Sequence, residues 1–556
     1  MLVLGLAAVA GEPDTEAFCY ASGLRVAHER IHGRAVASAL TRVTAGSRTE
    51  PEGLDGMAHL VEHLWFKSSF GDGSVRQALD AMGARFNAQT DRDAIVYETT
   101  VPAGSFDDLL ALEAHRARQG PLVGLPDEEL ERERAIVRSE RLFRDAGGMR
   151  GVYETLLADL LAGSAYGHSV SGTDATLDAI DLQAAREWAE RHHHAGSQSM
   201  LLVSPNPHAK VREAVEAHFG NLASESVPCG PRQEPASQAV PAAWTARTVT
   251  LPVPERTLAF AWALPPTGPV PLALDGAVAS TLAREMDESA TCSAIGLDAV
   301  AVVVCRMPWP EGDAPLDDLE GLEKVWRIDG PAMLGEGGPA FARSHVATRI
   351  TRLDDVSAEG SDRLLEKLTM FHHTGRTDHL AGLELAVQKM SPDWFRGHLN
   401  KVMPAGQRVA LVVEPNGEAN AGLAVHPERR SRPAPSVLPE DLAALPKPEV
   451  HTTTLPNGLA LTAIRLQGLP VTRVALVLPG GTLRADDPAV DVAARARLQS
   501  IDRPLQDLAA ARKATWQDGD DGWDWRVAST DTTAPYRLLA KRLEQVGMRG
   551  GPLAEL

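Results

Sequence analysis

The residues best placed to do chemistry are His59-Leu60-Val61-Glu62-His63. On a helix, positions i and i+4 stand one turn apart on one face, so both imidazoles can reach one metal ion. Glu62, at i+3 from His59, sits beside them. Zinc in such a site lowers the pKa of its bound water towards 7, and a neighbouring carboxylate can take the proton. With 18 histidines in 556 residues, the motif arises by chance in on the order of a few per cent of such chains. Taken alone, it also fits two hydrogen-bonded histidines beside a salt-bridged glutamate.

A two-histidine site needs a third protein ligand and an open fourth position for water. The segment Asp127–Arg144 reads as a helix and supplies candidates. Glu140 follows His63 after a gap of 76 residues. Glu133 lies seven residues before Glu140, two turns away on the same face. Glu140 as ligand and Glu133 as its outer partner meet the need to orient the metal-binding groups. On its own the helix, rich in Glu and Arg, reads equally as a solvated run of ion pairs.

HLVEH, the gap of 76 and Glu140 within ERERAIVRSE together resemble the pitrilysin/insulinase family of zinc peptidases. The resemblance implies one zinc per chain on His59, His63 and Glu140, with Glu62 as catalytic base and Glu133 supporting the site. Gly83-Ala84-Arg85-Phe86-Asn87-Ala88-Gln89-Thr90 resembles the family's Gly-x-x-x-Asn-Ala-x-Thr strand and is followed by Tyr97. In the family that strand is an edge that pairs with substrate backbone, which makes Asn87 and Ala88 substrate-contact candidates. The likeness continues through His168-Ser169-Val170-Ser171-Gly172 and His218-Phe219-Gly220-Asn221-Leu222. It covers residues 18–222 well and 245–420 weakly, and residues 450–556 look like the opening of a third unit.

The elements that must position these groups can be read in outline. Leu24–Glu29 and Val36–Thr44 read as strands leading into a helix at Gly56–Phe66. Phe86–Gln89 and Ala94–Val101 read as a hairpin. Phe106–Arg118, Asp127–Arg144, Val152–Ala162, Thr176–His193 and Lys210–Phe219 read as helices, with a strand at Met200–Val203. The interleaving without strict alternation gives α+β. The fold expected is a set of repeated pitrilysin-like domains, each a mostly antiparallel sheet with packed helices. His192-His193-His194 ends a helix, where imidazoles suit the dipole and the last carbonyls, and His372-His373 reads as part of a loop; neither run reads as a metal site. Met and Trp positions in 303–326 read as packing residues.

Two Pro-rich stretches divide the chain. The division expected is 1–10 as a signal remnant, 11–226 as the catalytic domain, 227–244 as a linker, 245–426 as a non-catalytic domain, 427–448 as a second linker and 449–556 as an incomplete third domain. An internal repeat supports the last. Gly23-Leu24, Gly33, Val36 and Gly46 recur 435 residues on as Gly458-Leu459, Gly468, Val471 and Gly481. At that offset His59, Glu62 and His63 fall on Ala494, Arg497 and Leu498, so the third copy lacks metal ligands. The family usually encloses its site between two halves, and only part of the second is matched. A fragment, a missing half supplied by a partner subunit or a homodimer, and a degraded zinc-binding paralogue all account for this. An exposed sheet edge in a half-built domain favours the first two.

The net charge is −19, with 74 acidic against 55 basic residues, which argues against nucleic-acid binding. Four scattered cysteines suggest neither a zinc ribbon nor a disulfide scaffold, although Cys292 and Cys305 could pair. The apolar start ending Ala8-Val9-Ala10 resembles the end of a secretory signal without its basic region, and nothing later approaches a membrane span. The placement expected is periplasmic or secreted, with cytoplasmic as the alternative. The activity expected is zinc-dependent endopeptidase action on peptides or unfolded segments. The alternatives are a non-catalytic or partner-dependent scaffold subunit and a structural zinc site, the latter lacking a fourth protein ligand.

Overall fold

The structure is a computed structural model. It describes residues 2–7, 14–145, 149–232, 244–266, 269–286, 290–309, 361–378, 408–416, five strands between 449 and 528, and scattered residues from 342 to 398. Leu2–Ala7 forms strand β1. The next strands are β2 (Asp14–Tyr20), β3 (Arg25–Arg30) and β4 (Val36–Val43), followed by helix α1 (Met57–Trp65). A short hairpin, β5 (Ser69–Phe70) and β6 (Gly73–Ser74), leads into α2 (Val75–Ala81). Then come β7 (Arg85–Thr90), β8 (Ile95–Pro102), α3 (Phe106–Gln119), α4 (Asp127–Asp145) and α5 (Met149–Leu160). The first unit closes with α6 (Asp174–Ala179), α7 (Leu182–His192), β9 (Gln198–Ser204), α8 (His208–Phe219) and β10 (Ser226–Val227).

Seven of these strands form one sheet in the order β10-β2-β3-β9-β4-β8-β7, all antiparallel except β3 with β9. Side chains alternate across a strand, so a strand buried along its whole length needs cover on both faces. β9 is such a strand, buried at every residue. Met200 and Leu202 face a core built with α1, α3 and α8, while Leu201 and Val203 face a second cluster. That second cluster includes Leu364, Leu368 and Phe371, far along the chain.

The cover comes from the second unit. Its strands β11 (Trp244–Leu251), β12 (Thr257–Leu264), β13 (Thr291–Gly296), β14 (Ala301–Pro308) and β15 (Arg408–Pro415) form a five-stranded sheet in the order β11-β15-β12-β14-β13. Helix α9 (Pro269–Met286) packs on one face. The other face is covered by Val152, Leu156, Leu157 and Leu160 of α5, a helix of the first unit. In return α10 (Ser361–Thr374), which lies between β14 and β15 in the chain, lies on the back of the first sheet. Each unit thus lends a helix to the other's sheet. Along α10, Arg363 and Lys367 reach Glu29 of β3 at 3.1 and 2.8 Å, all three nearly inaccessible to solvent.

A third sheet has the order β16 (Glu449–Thr454), β17 (Ala460–Leu466), β1, β18 (Val471–Val477), β20 (Gly522–Ala528), β19 (Ala514–Gly519). It repeats part of the first sheet's strand order, and its first hairpin keeps the register of β2 with β3. Glu449 pairs with Arg465 as Asp14 pairs with Arg30, both 435 positions earlier. β1 stands where β9 stands in the first sheet, parallel to β17 and antiparallel to β18. β1 falls within the segment 1–10 read as a signal remnant. Gly458, Leu459, Gly468, Gly481, Ala494, Arg497 and Leu498 lie outside the described residues, as do the stretches 233–243 and 417–448.

Several sequence expectations are corrected. The helix expected over Thr176–His193 is two helices, because Ile180 is extended and the Asp181 side chain accepts the Ala184 N–H to start a new one. His372 and His373 form the last turn of α10, not a loop. His192 and His193 are not cations serving a helix dipole. Burial pushes them down to about 4 and about 3, and His193 packs on Tyr97 and Trp188. All four cysteines are paired, Cys19 with Cys229 and Cys292 with Cys305. The first pair joins β2 to the chain just beyond β10 across a separation of 210 residues, a match no local spacing reveals. Cys229→Ser is expected to lower stability by about 2–5 kcal/mol in a thermal or urea unfolding series. An unchanged midpoint would show that the bond constrains nothing the fold does not already constrain.

Candidate metal centre

Helix α1 is seated from its N-terminus. Gly56 precedes it with φ +96°, a left-handed conformation that other residues rarely adopt. The buried Glu50 carboxylate accepts the Gly56 N–H at 3.0 Å and the Ala58 N–H at 2.7 Å, satisfying donors the helix leaves open. The turn 168–172 closes over this end. Gly172 approaches so near that an added Cβ would lie 2.1 Å from the Asp55 carbonyl oxygen. Glu50, Asp55 and His168 form a second group of convergent donors. Both Glu50 oxygens already serve the positive end of α1, where a cation is disfavoured, so this group reads as a helix anchor.

α1 is buried almost throughout, and only His63 among its nine residues is less than fully covered. It presents His59, Glu62 and His63 towards α4. The donor atoms of His59, His63 and Glu140 all lie within 4.8 Å of one another. His59 Nε2 and His63 Nε2 each stand 3.6 Å from Glu140 Oε2. Ligands at about 2.0–2.1 Å in a tetrahedron lie roughly 3.4 Å apart, so three donors are arrayed as edges of a zinc-sized polyhedron. Glu133, two turns before Glu140, meets His63 Nδ1 at 3.1 Å and Lys67 Nζ at 2.9 Å. It holds one His63 nitrogen and leaves Nε2 for a ligand role.

The electrostatics favour positive charge here. Burial would lower the His63 pKa, but hydrogen bonds to Glu133 and Glu140 and the Glu62 charge push it up to about 9. Burial would raise Glu133, and bonds to His63 and Lys67 outweigh it, so the carboxyl stays below its usual range. A divalent cation can supply the charge that a proton on His63 otherwise provides.

Glu62 is buried and accepts a hydrogen bond from Thr90 Oγ1 at 2.6 Å. Thr90 ends β7, the outermost strand of the sheet, whose outer edge carries no partner strand among the described residues. Along β7, Arg85, Asn87 and Gln89 are exposed while Phe86, Ala88 and Thr90 turn inward. Phe86 and Ala88 pack against the main core, and the Phe86 ring lies 5.4 Å from that of Phe66. So of the two substrate-contact candidates, Asn87 lies on the open face and Ala88 on the packed one. The structure thus brings His59, His63, Glu140, Glu62 and Glu133 to one centre with the β7 edge beside it. Sequence reasoning missed Lys67 and Glu50, and it placed Thr90 in the strand motif without giving it a role. The signals of the first two, a cation four after His63 and a carboxylate before a helix, are too common to single out.

Comparison with known proteins finds similarity over the segment that carries this group. Residues 25–174 match the family described as Insulinase (Peptidase family M16). The mitochondrial-processing peptidase subunit beta of Bos taurus is 26% identical over 214 residues, 38% of this chain and 43% of that protein. The cytochrome b-c1 complex subunit 1 of Bos taurus is 24% identical over 212 residues, with 38% and 43% coverage. The chain therefore spans under half the length of these relatives in the matched region. The periplasmic protease PqqL from Escherichia coli has a similar fold, with a TM-score of 0.57 at 15% identity, covering 96% of this chain and 66% of that one. The segment that carries the candidate centre is thus similar to the insulinase (M16) peptidase family, and the α+β fold is that of solved M16 peptidase domains.

Proposed function

We propose that this chain is a zinc-dependent endopeptidase acting on peptides or unfolded segments. The observation that carries the reading is the convergence of His59, His63 and Glu140 beside the Thr90-held carboxylate of Glu62. Zinc bound by those three would lower the pKa of a coordinated water and polarise a peptide carbonyl. Glu62 accepts the proton of the attacking water and returns it to the leaving amine nitrogen. Glu133 fixes the orientation of His63, and Lys67 keeps Glu133 charged. An extended substrate adds to the open edge of β7, its backbone pairing with the strand that carries Asn87 and Ala88.

The two disulfides fit an oxidising compartment, which supports the periplasmic or secreted placement. No helix among the described residues is long and apolar enough to cross a membrane. The rival reading, a scaffold or partner-dependent subunit, draws on the similarity to a cytochrome b-c1 complex subunit. Zinc content and cleavage of a mixed pool of unstructured peptides decide between them. About one zinc per chain with cleavage supports the peptidase; zinc without cleavage favours the partner-dependent subunit.

The ligand assignment has its own test. Glu133→Gln is expected to weaken zinc affinity by about 10–100-fold, as loss of an outer partner does. Glu140→Gln should weaken it further, because two imidazoles alone remain. Competition against a chromophoric chelator measures both, and wild-type affinity in Glu140→Gln would remove Glu140 from the ligand set.

A further inference from the structure

We infer that Thr90 is the positioning residue for Glu62, holding the carboxylate in the orientation that proton transfer needs. The inference rests on the peptidase reading for its catalytic meaning, but its geometric content stands independently.

A glutamate has three rotatable bonds, and a base displaced by about 1 Å can cost about 100-fold in rate. Something must hold it. The Thr90 hydroxyl donates to Oε2 at 2.6 Å, within the short range expected of a hydroxyl bonded to a carboxylate.

Thr90 can do this only if it is itself fixed, and its surroundings fix it from both sides. Before it, Phe86 and Ala88 anchor the inward face of β7 in the core. After it, the turn 91–94 is pinned. Asp91 Oδ1 accepts the Asp93 and Ala94 N–H groups at 2.7 Å each. The Ser47 and Arg48 N–H groups donate to the carbonyls of Asp91 and Arg92. Asp93, almost fully buried, accepts from Arg48 Nε at 2.7 Å and Tyr166 OH at 2.8 Å. It also accepts the Asp298 N–H at 2.8 Å, and Asp298 belongs to the turn between β13 and β14 of the second unit. The second unit, which carries none of the metal-centre groups, therefore braces the turn from which Thr90 reaches Glu62.

The test uses the full chain and two readouts. The first needs neither metal nor activity: thermal unfolding of metal-free wild type, Thr90→Val, Glu62→Met and the double variant. Valine keeps the volume and removes the hydroxyl; methionine removes the acceptor. Coupled residues give a double variant less destabilised than the sum of the singles, whereas additive shifts in Tm overturn the inference. The second readout is kinetic. Thr90→Val is expected to lower kcat by about 10–100-fold with KM within about twofold and zinc content unchanged. Thr90→Ser, which keeps the hydroxyl, recovers most of that loss. Wild-type kcat in Thr90→Val, or loss of zinc from it, overturns the positioning role. If the wild-type chain cleaves nothing, the peptidase reading fails, and the unfolding cycle still decides whether Thr90 holds Glu62.

Discussion

Glu62→Gln is expected to keep its zinc and lose cleavage, with kcat falling by about 10²–10⁴-fold or beyond detection. The carboxamide has nearly the shape of the carboxylate and can still accept the Thr90 hydroxyl, so α1 and its histidines stay in place. It cannot accept a proton at neutral pH. Metal affinity should change little, because Glu62 is not among the three convergent donors. The check is zinc content and peptide turnover on matched preparations of wild type and variant. Retained turnover in a clean Glu62→Gln sample sinks the assignment of the base. Loss of zinc alongside activity would mean that Glu62 acts on the metal set itself.

Glu29→Ala should cost about 3–5 kcal/mol, the cost of breaking a buried ion pair by removing one partner. Glu29 is the anion that α10 reaches from the second unit, and the three side chains are almost wholly out of water. Burial alone would raise the Glu29 pKa, but Lys367 and Arg363 outweigh it and hold it at about 2, against 4.5 for the free group. A depressed acid contributes stability that is present above the unfolded pKa and is lost as pH falls through the folded one. The window runs from roughly pH 4.5 down to 2, and the contribution is on the order of 3 kcal/mol. Urea unfolding of wild type and Glu29→Ala between pH 7 and pH 2 should therefore show a gap that closes with acid. A gap constant over that range would show that Glu29 contributes by packing and not by charge.

The candidate site residues that the sequence groups together are those whose geometry is local. One helical turn relates His59 to His63, and two turns relate Glu133 to Glu140, so periodicity alone sets their shared faces. The hairpin of β7 and β8 was equally legible, because alternation and a polar turn mark it. What escaped depends on contacts between distant segments. Arg363, Lys367 and His372 are polar residues that no local pattern marks as core, yet β3 and β9 bury them. Cys19 finds Cys229 only because β10 pairs with β2. Thr90 closes the strand motif, but its bond to Glu62 shows only when α1 is laid against it.

The exchange of α5 and α10 between the first two sheets bears on how this protein can be divided. Cutting the chain near residue 233 would strip Leu201 and Val203 of their cover and leave Leu156 and Leu157 with nothing to bury against. Each piece would display an apolar face and, on the first, Glu29 stripped of Arg363 and Lys367. The two halves should therefore melt in a single calorimetric transition, and neither should be recoverable as a soluble product when expressed alone. Coexpressed, they should reassemble as a split protein, since the contacts described between them are noncovalent and each disulfide lies wholly on one side of the cut.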